Sequence, residues 1–309
     1  MSQSDAVIHV HGLVKRYGAI VAVDNITFDV PRGEVFGILG PNGAGKTTTL
    51  ECIEGLQPLT TGRINVLGAD VAKQTAAVKQ RIGVQLQASS YFYYLSLIEL
   101  LELFSRFYSR RVDAQALLRK VELEDKGRAT VEKLSGGQRQ RFTFAATLVN
   151  DPEIVFLDEP TTGLDPQARR HMWDLIRGIH NEGRTVVLTT HYMEEAQDLC
   201  HRVAIMDHGK VVALDTPETL ILALPVPSEV RIRTDRPIDL AVLSKFDAVV
   251  DVHPGPDGLM LLGSTDAART MSSLMTWAGA HGVSVAQLEV RPADLEDVFI
   301  ALTGRQLRD

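Results

Sequence analysis

Three things are scarce or missing in this chain of 309 residues. It has two cysteines, Cys52 and Cys200, each in its own predicted helix and without His or Cys at ligand spacing beside it. That leaves little room for a disulfide framework or a zinc site, and two reduced packing thiols in a cytosolic protein are the simplest account. No apolar run approaches the ~20 residues that cross a bilayer, and the polar start MSQSDA lacks the basic flank and apolar stretch of a secretion signal. A soluble chain that stays inside the cell is expected. Positive charge is not in excess either: 32 Lys and Arg against 39 Asp and Glu give a formal net charge of -7 and a pI near 5.7. Binders of nucleic acid usually carry a concentrated basic field, so no nucleic-acid partner is expected. There is no internal repeat and no low-complexity run. With 45% hydrophobic and 23% charged residues, the length allows two domains with a sizeable core.

What is present alternates between strand and helix patterns. Ile26, Phe28 and Val30 in NITFDV read as a half-buried strand, and GEVFGILG reads as a buried strand feeding a glycine loop and a helix from Lys46 to about Glu54. EIVFLDEP and GRTVVLTTH are short, apolar and β-branched, as strands covered on both faces are, with a helix-period segment closed by glycine between them. The expected class is α/β, with a parallel-sheet core, an N-terminal antiparallel β region and a helical insertion over about 88–151. Pro225 and Pro227 interrupt both patterns and mark a boundary between domains at 1–224 and 225–309. Beyond it the order strand, helix, strand, strand, helix, strand predicts a small α+β domain of split-βαβ type, with helices over Ile238–Lys245 and Asp266–Ala280 and a last helix that stops at Gly304.

GPNGAGKT satisfies every fixed position of the phosphate-loop pattern, in the strand–loop–helix setting the pattern requires. Gly40, Gly43 and Gly45, with Pro41, Asn42 and Ala44 between them, let the backbone wrap phosphate closely, and the N–H groups leading to Thr47 and Thr48 point at the anion. Lys46 is expected to reach the β- and γ-phosphates of a nucleotide and Thr47 to supply one Mg²⁺ ligand. IVFLDEP then places two acids at a strand end. Asp158 suits Mg²⁺ through water, and Glu159, directed elsewhere, suits orientation of a water for attack on the γ-phosphate. A solvated strand end is the plainer explanation of an Asp-Glu pair, but a phosphate loop in the same chain outweighs it. His191, ending the next strand, would face the same sheet edge. Spacing alone does not decide between a structural and a catalytic role for it.

A second glycine turn, LSGGQRQR, follows about ninety residues later. Taken in order, the phosphate loop, LSGGQ, FLDEP, TTGLDP and TTH resemble the ATPase subunits of ATP-binding cassette (ABC) transporters, over roughly Val7 to Leu222. The resemblance implies that two ATPase chains pair head to tail as a homodimer. Ser135, Gly136, Gly137 and Gln138 would then serve the ATP held by the partner's phosphate loop. A plain helix N-cap at Ser135 fits as well, though a cap alone does not explain two glycines followed by Gln. It also implies that Tyr17 stacks on adenine, that Asp165 lies in a loop crossing the dimer interface, and that a metal-sensing Gln follows Ile82-Gly83. Gln85 and Gln87 both compete for that last role. Alignment on the strand start selects Gln87 as the Mg²⁺ ligand.

Tyr91, Phe92, Tyr93 and Tyr94 come next, too many aromatics in a row to face one core. In this family the neighbouring region receives a helix of the membrane subunit, so a docking patch and local packing are equal alternatives. The C-terminal part, including PADLEDVFIALTG, resembles the small extension of ABC-2 type export ATPases. The resemblance implies a Mg·ATP hydrolase on the cytoplasmic face of the cell membrane that drives an exporter through a separate permease. Import ATPases and cassette ATPases acting on ribosomes or DNA are the rivals.

Overall fold

The computed structural model describes residues 5–85, 91–92 and 94–304. The chain divides between Thr216 and Pro217 into two compact units. The first opens with a hairpin of β1 (Ala6–Tyr17) and β2 (Ile20–Pro31), followed by β3 (Val35–Leu39), α1 (Lys46–Ile53), β4 (Thr61–Val66), β5 (Ala69–Asp70), α2 (Thr75–Lys79) and β6 (Ile82–Gln85). Three helices come before the next strand: α3 (Leu97–Ser105), α4 (Ala114–Lys120) and α5 (Gly136–Ala146). Then β7 (Ile154–Asp158), α6 (Pro166–Asn181), β8 (Thr185–Thr190), α7 (Met193–Leu199), β9 (Arg202–Asp207) and β10 (Lys210–Asp215) complete it.

These strands form two sheets, one antiparallel in the order β2-β1-β4-β5 and one in the order β10-β9-β3-β8-β7-β6. In the second, β9, β3, β8, β7 and β6 are parallel to their neighbours and β10 is antiparallel. Every residue of β3, β7 and β8 is buried, which is why these strands read as unbroken apolar runs and not as alternation. The hairpin is longer than the single strand expected at NITFDV. Bulges shift the β1–β2 register at several points between Ala6 and Arg16, and each shift breaks the period-two signal by which a strand is read.

The second unit holds α8 (Pro217–Leu222), β11 (Ser228–Thr234), α9 (Leu240–Leu243), β12 (Val249–Pro254), β13 (Met260–Ser264), α10 (Ala267–His281), β14 (Val285–Pro292) and α11 (Leu295–Thr303). Its antiparallel sheet runs β12-β13-β11-β14 over a core that includes Val230, Ile232, Leu262 and Leu274. The first of its expected helices is one turn long and starts later than expected, where Asp239 caps it by accepting from Ala241 N–H at 2.9 Å. Among the described residues no helix is long and apolar enough to cross a membrane.

Candidate nucleotide site

Three neighbouring strands of the parallel sheet bring the site together at their C-terminal ends. β8 lies between β3 and β7, with Leu39 opposite Thr190 and Asp158 opposite Thr189. The phosphate loop leaves β3, the acid pair ends β7, and His191 follows β8, so residues more than a hundred positions apart share one edge. Within the loop Gly45 has φ +99°, and a Cβ there would stand 2.4 Å from the carbonyl oxygen of Ala22. Only glycine fits. Lys46, 4% exposed, donates to the carbonyls of Gly40 at 2.8 Å and Pro41 at 3.2 Å and lies 3.4 Å from Glu159 Oε1. Burial holds its pKa below the usual lysine range, and the charge of Glu159 opposes that fall.

The two acids face different partners. Asp158 Oδ1 accepts from the hydroxyl of Thr47 at 3.2 Å and from that of Thr189. Burial raises its pKa, with the two hydroxyl bonds working in the other direction. Once ionised, this carboxylate beside a threonine hydroxyl is a hard-oxygen pair suited to a divalent cation, whose charge would offset the effect of burial. Glu159 leaves the strand in the left-handed region, φ 47°, which is strained for a residue with a side chain. This turn carries its carboxylate away from Asp158, to Lys46, to His191 Nδ1 at 3.3 Å from Oε2, and to the Thr162 hydroxyl at 3.1 Å. The imidazole stands at ion-pair distance but off the line of a hydrogen bond. Burial would raise the pKa of Glu159, but the charges of Lys46 and His191 outweigh it and the net shift is downward. The backbone of Glu159 is fixed by Thr189, whose carbonyl and hydroxyl both accept from its N–H. Thr162 and Thr189 were not assigned from sequence. Their only signal is position, three residues after Glu159 for Thr162 and two before His191 for Thr189.

The second glycine turn has two faces. Ser135 caps α5 by accepting from Gln138 N–H at 3.3 Å, and Gln138 Oε1 accepts from Ser135 N–H at 3.0 Å. The reciprocal pair is a capping box, which gives Gln138 a local role at the start of α5. The glycines remain unexplained by the chain itself. Neither has positive φ, a Cβ on Gly136 would meet nothing within 4 Å, and one on Gly137 would meet only Ala168 Cβ at 3.5 Å.

Tyr17 ends β1, is 44% exposed, and has Lys15 Nζ 4.7 Å from its ring centroid. Asp165 caps α6, accepting from Gln167 and Ala168 N–H ahead of Pro166 in the first turn. Gln87 and Tyr93 lie outside the described residues, while Gln85 is buried in β6. Of the other aromatics, Tyr91 packs on Phe104 and Phe142 and donates to Thr143, so local packing accounts for it. Phe92 and Tyr94 are 50% and 73% exposed. Cys52 and Cys200 are buried free thiols, and burial pushes Cys52 up to about 11, which leaves it unreactive.

A phosphate loop at the mouth of a parallel sheet, with an acid pair and a histidine on the same edge, defines a P-loop ATPase. A sequence profile described as ABC transporter matches residues 23–162. The Nod factor export ATP-binding protein I of Ralstonia nicotianae (strain ATCC BAA-1114 / GMI1000) is 37% identical over 312 residues, covering 99% of this chain and 96% of its own. The protein of the same name from Rhizobium leguminosarum bv. viciae is 36% identical over 314 residues, covering 99% and 97%. Among solved structures, cbiO1 from Clostridium perfringens, part of the ABC transporter complex cbiONQ, superposes with a TM-score of 0.64 at 26% identity, covering 71% of this chain and 92% of that one. A dimeric ATP-binding cassette in a post-hydrolysis state with ADP and Pi gives a TM-score of 0.62 at 26% identity, covering 68% and 98%. The chain belongs to the ATP-binding subunits of the ABC transporter family.

Proposed function

We propose that this chain is the Mg·ATP-hydrolysing subunit of an ABC-2 type exporter, working as a head-to-tail homodimer on the cytoplasmic face of the membrane with a separate permease. The observation that carries the dimer is the pair Gly136 and Gly137. Glycine inside a helix costs about 0.5–1 kcal/mol relative to alanine, and among the described residues nothing requires it at either of these two positions, the first in α5. Bare backbone there suits close approach by something outside the chain. At the start of α5 the outward N–H groups favour an anion, as the phosphates of the partner's ATP are. Export is favoured because relatives named for export match almost the whole length, second unit included.

In the proposed reaction the loop from Gly40 to Thr48 cradles phosphate through its backbone, and Lys46 exchanges its loop carbonyls for phosphate oxygens. Tyr17 offers its ring to adenine. Thr47 and Asp158, with Gln87, would hold Mg²⁺, which when bound offsets the charge on the β- and γ-phosphates. Glu159, kept ionised by Lys46 and His191, takes the proton of the attacking water. His191 holds the Glu159 carboxylate in place, and the strained backbone at Glu159 sets its direction away from Asp158.

Mixed dimers test the pairing. Lys46→Ala removes one half of a composite site and Ser135→Arg the other, so each homodimer is expected to fail to occlude nucleotide. A mixture regains one intact pairing per mixed dimer, read as trapped ATP. Mixed dimers that form and trap none would end the head-to-tail assignment.

A further inference from the structure

The turn that carries Glu159 out of β7 is tied down at three points. Glu159 N–H donates to the carbonyl and the hydroxyl of Thr189 in β8. The Thr161 hydroxyl donates at 2.8 Å to Oε1 of Glu195, a fully buried side chain of α7 that also accepts from Trp173 Nε1 at 3.0 Å. These two ties lead to the strand and the helix on either side of His191. The third leads elsewhere, because the side-chain amide of Gln140, in α5, donates to the carbonyl of Pro160 at 2.7 Å. Among the described residues it is the one hydrogen bond between α5 and this turn. Gly137 lies three residues earlier on the same face of α5, and a Cβ there would meet Ala168 Cβ at 3.5 Å. The N–H of Ala168 is in turn bonded to Asp165. So α5, which begins with the second glycine turn, rests on both ends of the segment that joins Glu159 to α6.

We infer that Gln140 is a positioning residue that joins the two nucleotide sites of a dimer through one chain: α5, engaged at its start by the partner's ATP, holds through Gln140 the turn that aims Glu159 at the ATP of its own loop. The inference rests on the head-to-tail reading proposed above. Its physical basis is the left-handed backbone of Glu159, a strained conformation that persists only while the surrounding contacts hold it. Gln140 stands one helical turn, about 6 Å, beyond Gly136. A shift at the start of α5 therefore reaches Pro160 along a single rigid element. Pro160 has no N–H, so its carbonyl is the backbone group by which the turn can be held there. With that bond lost the turn is free to relax, and the Glu159 carboxylate to leave Lys46 and His191, while the phosphate loop stays as it was.

Two variants of the full chain test it. Gln140→Met keeps the length of the side chain and removes the donor, and Gln140→Lys returns a donor of similar reach. Gln140→Met is expected to lower kcat for ATP about tenfold, with KM within about twofold of wild type and a melting temperature close to it. The dependence of rate on ATP is expected to be sigmoidal in the wild type and hyperbolic in Gln140→Met, because one site no longer sets the acid of the other. Gln140→Lys is expected to recover most of kcat and the sigmoidal curve. A wild-type kcat in Gln140→Met, or a hyperbolic curve in the wild type, overturns the inference. So does a loss that Gln140→Lys fails to recover, which marks lost packing and not a lost bond. Should Gln140→Met not fold, Gln140→Glu, which also lacks a donor, is read by the same split. The mixed dimers of Lys46→Ala and Ser135→Arg keep the two readings apart. If they trap no ATP, the head-to-tail reading and this inference fall together; if they trap it while Gln140→Met turns over normally, this inference falls alone.

Discussion

The two glycine turns of this protein look alike in sequence and differ in what demands them. Gly45 is required from within, by a positive φ and by the Ala22 carbonyl that a methyl group would strike. Among the described residues nothing makes the same demand of Gly136 and Gly137. One turn is therefore held by contacts inside the chain, and under the proposed function the other is completed by a partner. Their capping differs in the same sense. Gly45 precedes α1 with no side-chain cap, leaving the first N–H groups to an anion. Ser135 and Gln138 close a capping box at the start of α5, which engages Gln138 N–H and leaves those of Gly136 and Gly137 without a side-chain cap.

The largest expected effect lies outside both turns and serves as their reference. Glu159→Gln should lower ATP turnover by about a thousandfold with nucleotide still bound; turnover near the wild-type rate would remove Glu159 from the proton step. Because its pKa is held down, the ionised form should persist as pH falls into the ordinary carboxylate range, about 4.3. The sign for stability agrees: a lowered acid contributes fully above its unfolded value and loses that contribution as pH falls through the folded one. A pH–rate profile from which Glu159 drops out above the ordinary value would contradict the Lys46 and His191 contacts.

Gly45→Ala comes next. With a clash at 2.4 Å and positive φ, it should destabilise the first unit by about 3 kcal/mol in urea melts. The smallest change, and the sharpest for the comparison, is Gly136→Ala. It should leave the isolated chain unharmed or more stable by about 0.5 kcal/mol, while nucleotide occlusion in the dimer falls. A substitution that helps the fold and harms the function marks a residue kept for a partner. If Gly136→Ala altered neither, the two turns would differ only in appearance.

Most of the site was legible because it is local. The phosphate loop, the acid pair and the signature are contiguous stretches whose residue types are fixed by the phosphate chemistry they suit, and each falls at an end of an apolar run. The N-terminal hairpin was harder, since the bulges between Ala6 and Arg16 erase alternation. The capping box at Ser135 could have been found, for Ser followed three residues later by Gln is its signature. Tyr91 could not be told from its aromatic neighbours until Phe104, Phe142 and Thr143 were seen around it. Gln140 gave no signal at all. A glutamine inside a helix reads as solvated, and only the packing of α5 put its amide on the Pro160 carbonyl.

By itself, the sequence determined that Gly40–Thr48 carries the phosphate-loop pattern and that two acids stand at the end of a buried strand, because glycine content, apolar runs and spacing act over a few residues. Which acid faces which partner was a tertiary decision. It depends on β8 lying between β3 and β7, on Thr189 holding both Asp158 and the backbone of Glu159, and on one left-handed residue that turns the second carboxylate toward Lys46 and His191. Those are distances between strands far apart in the chain, and no short pattern encodes them.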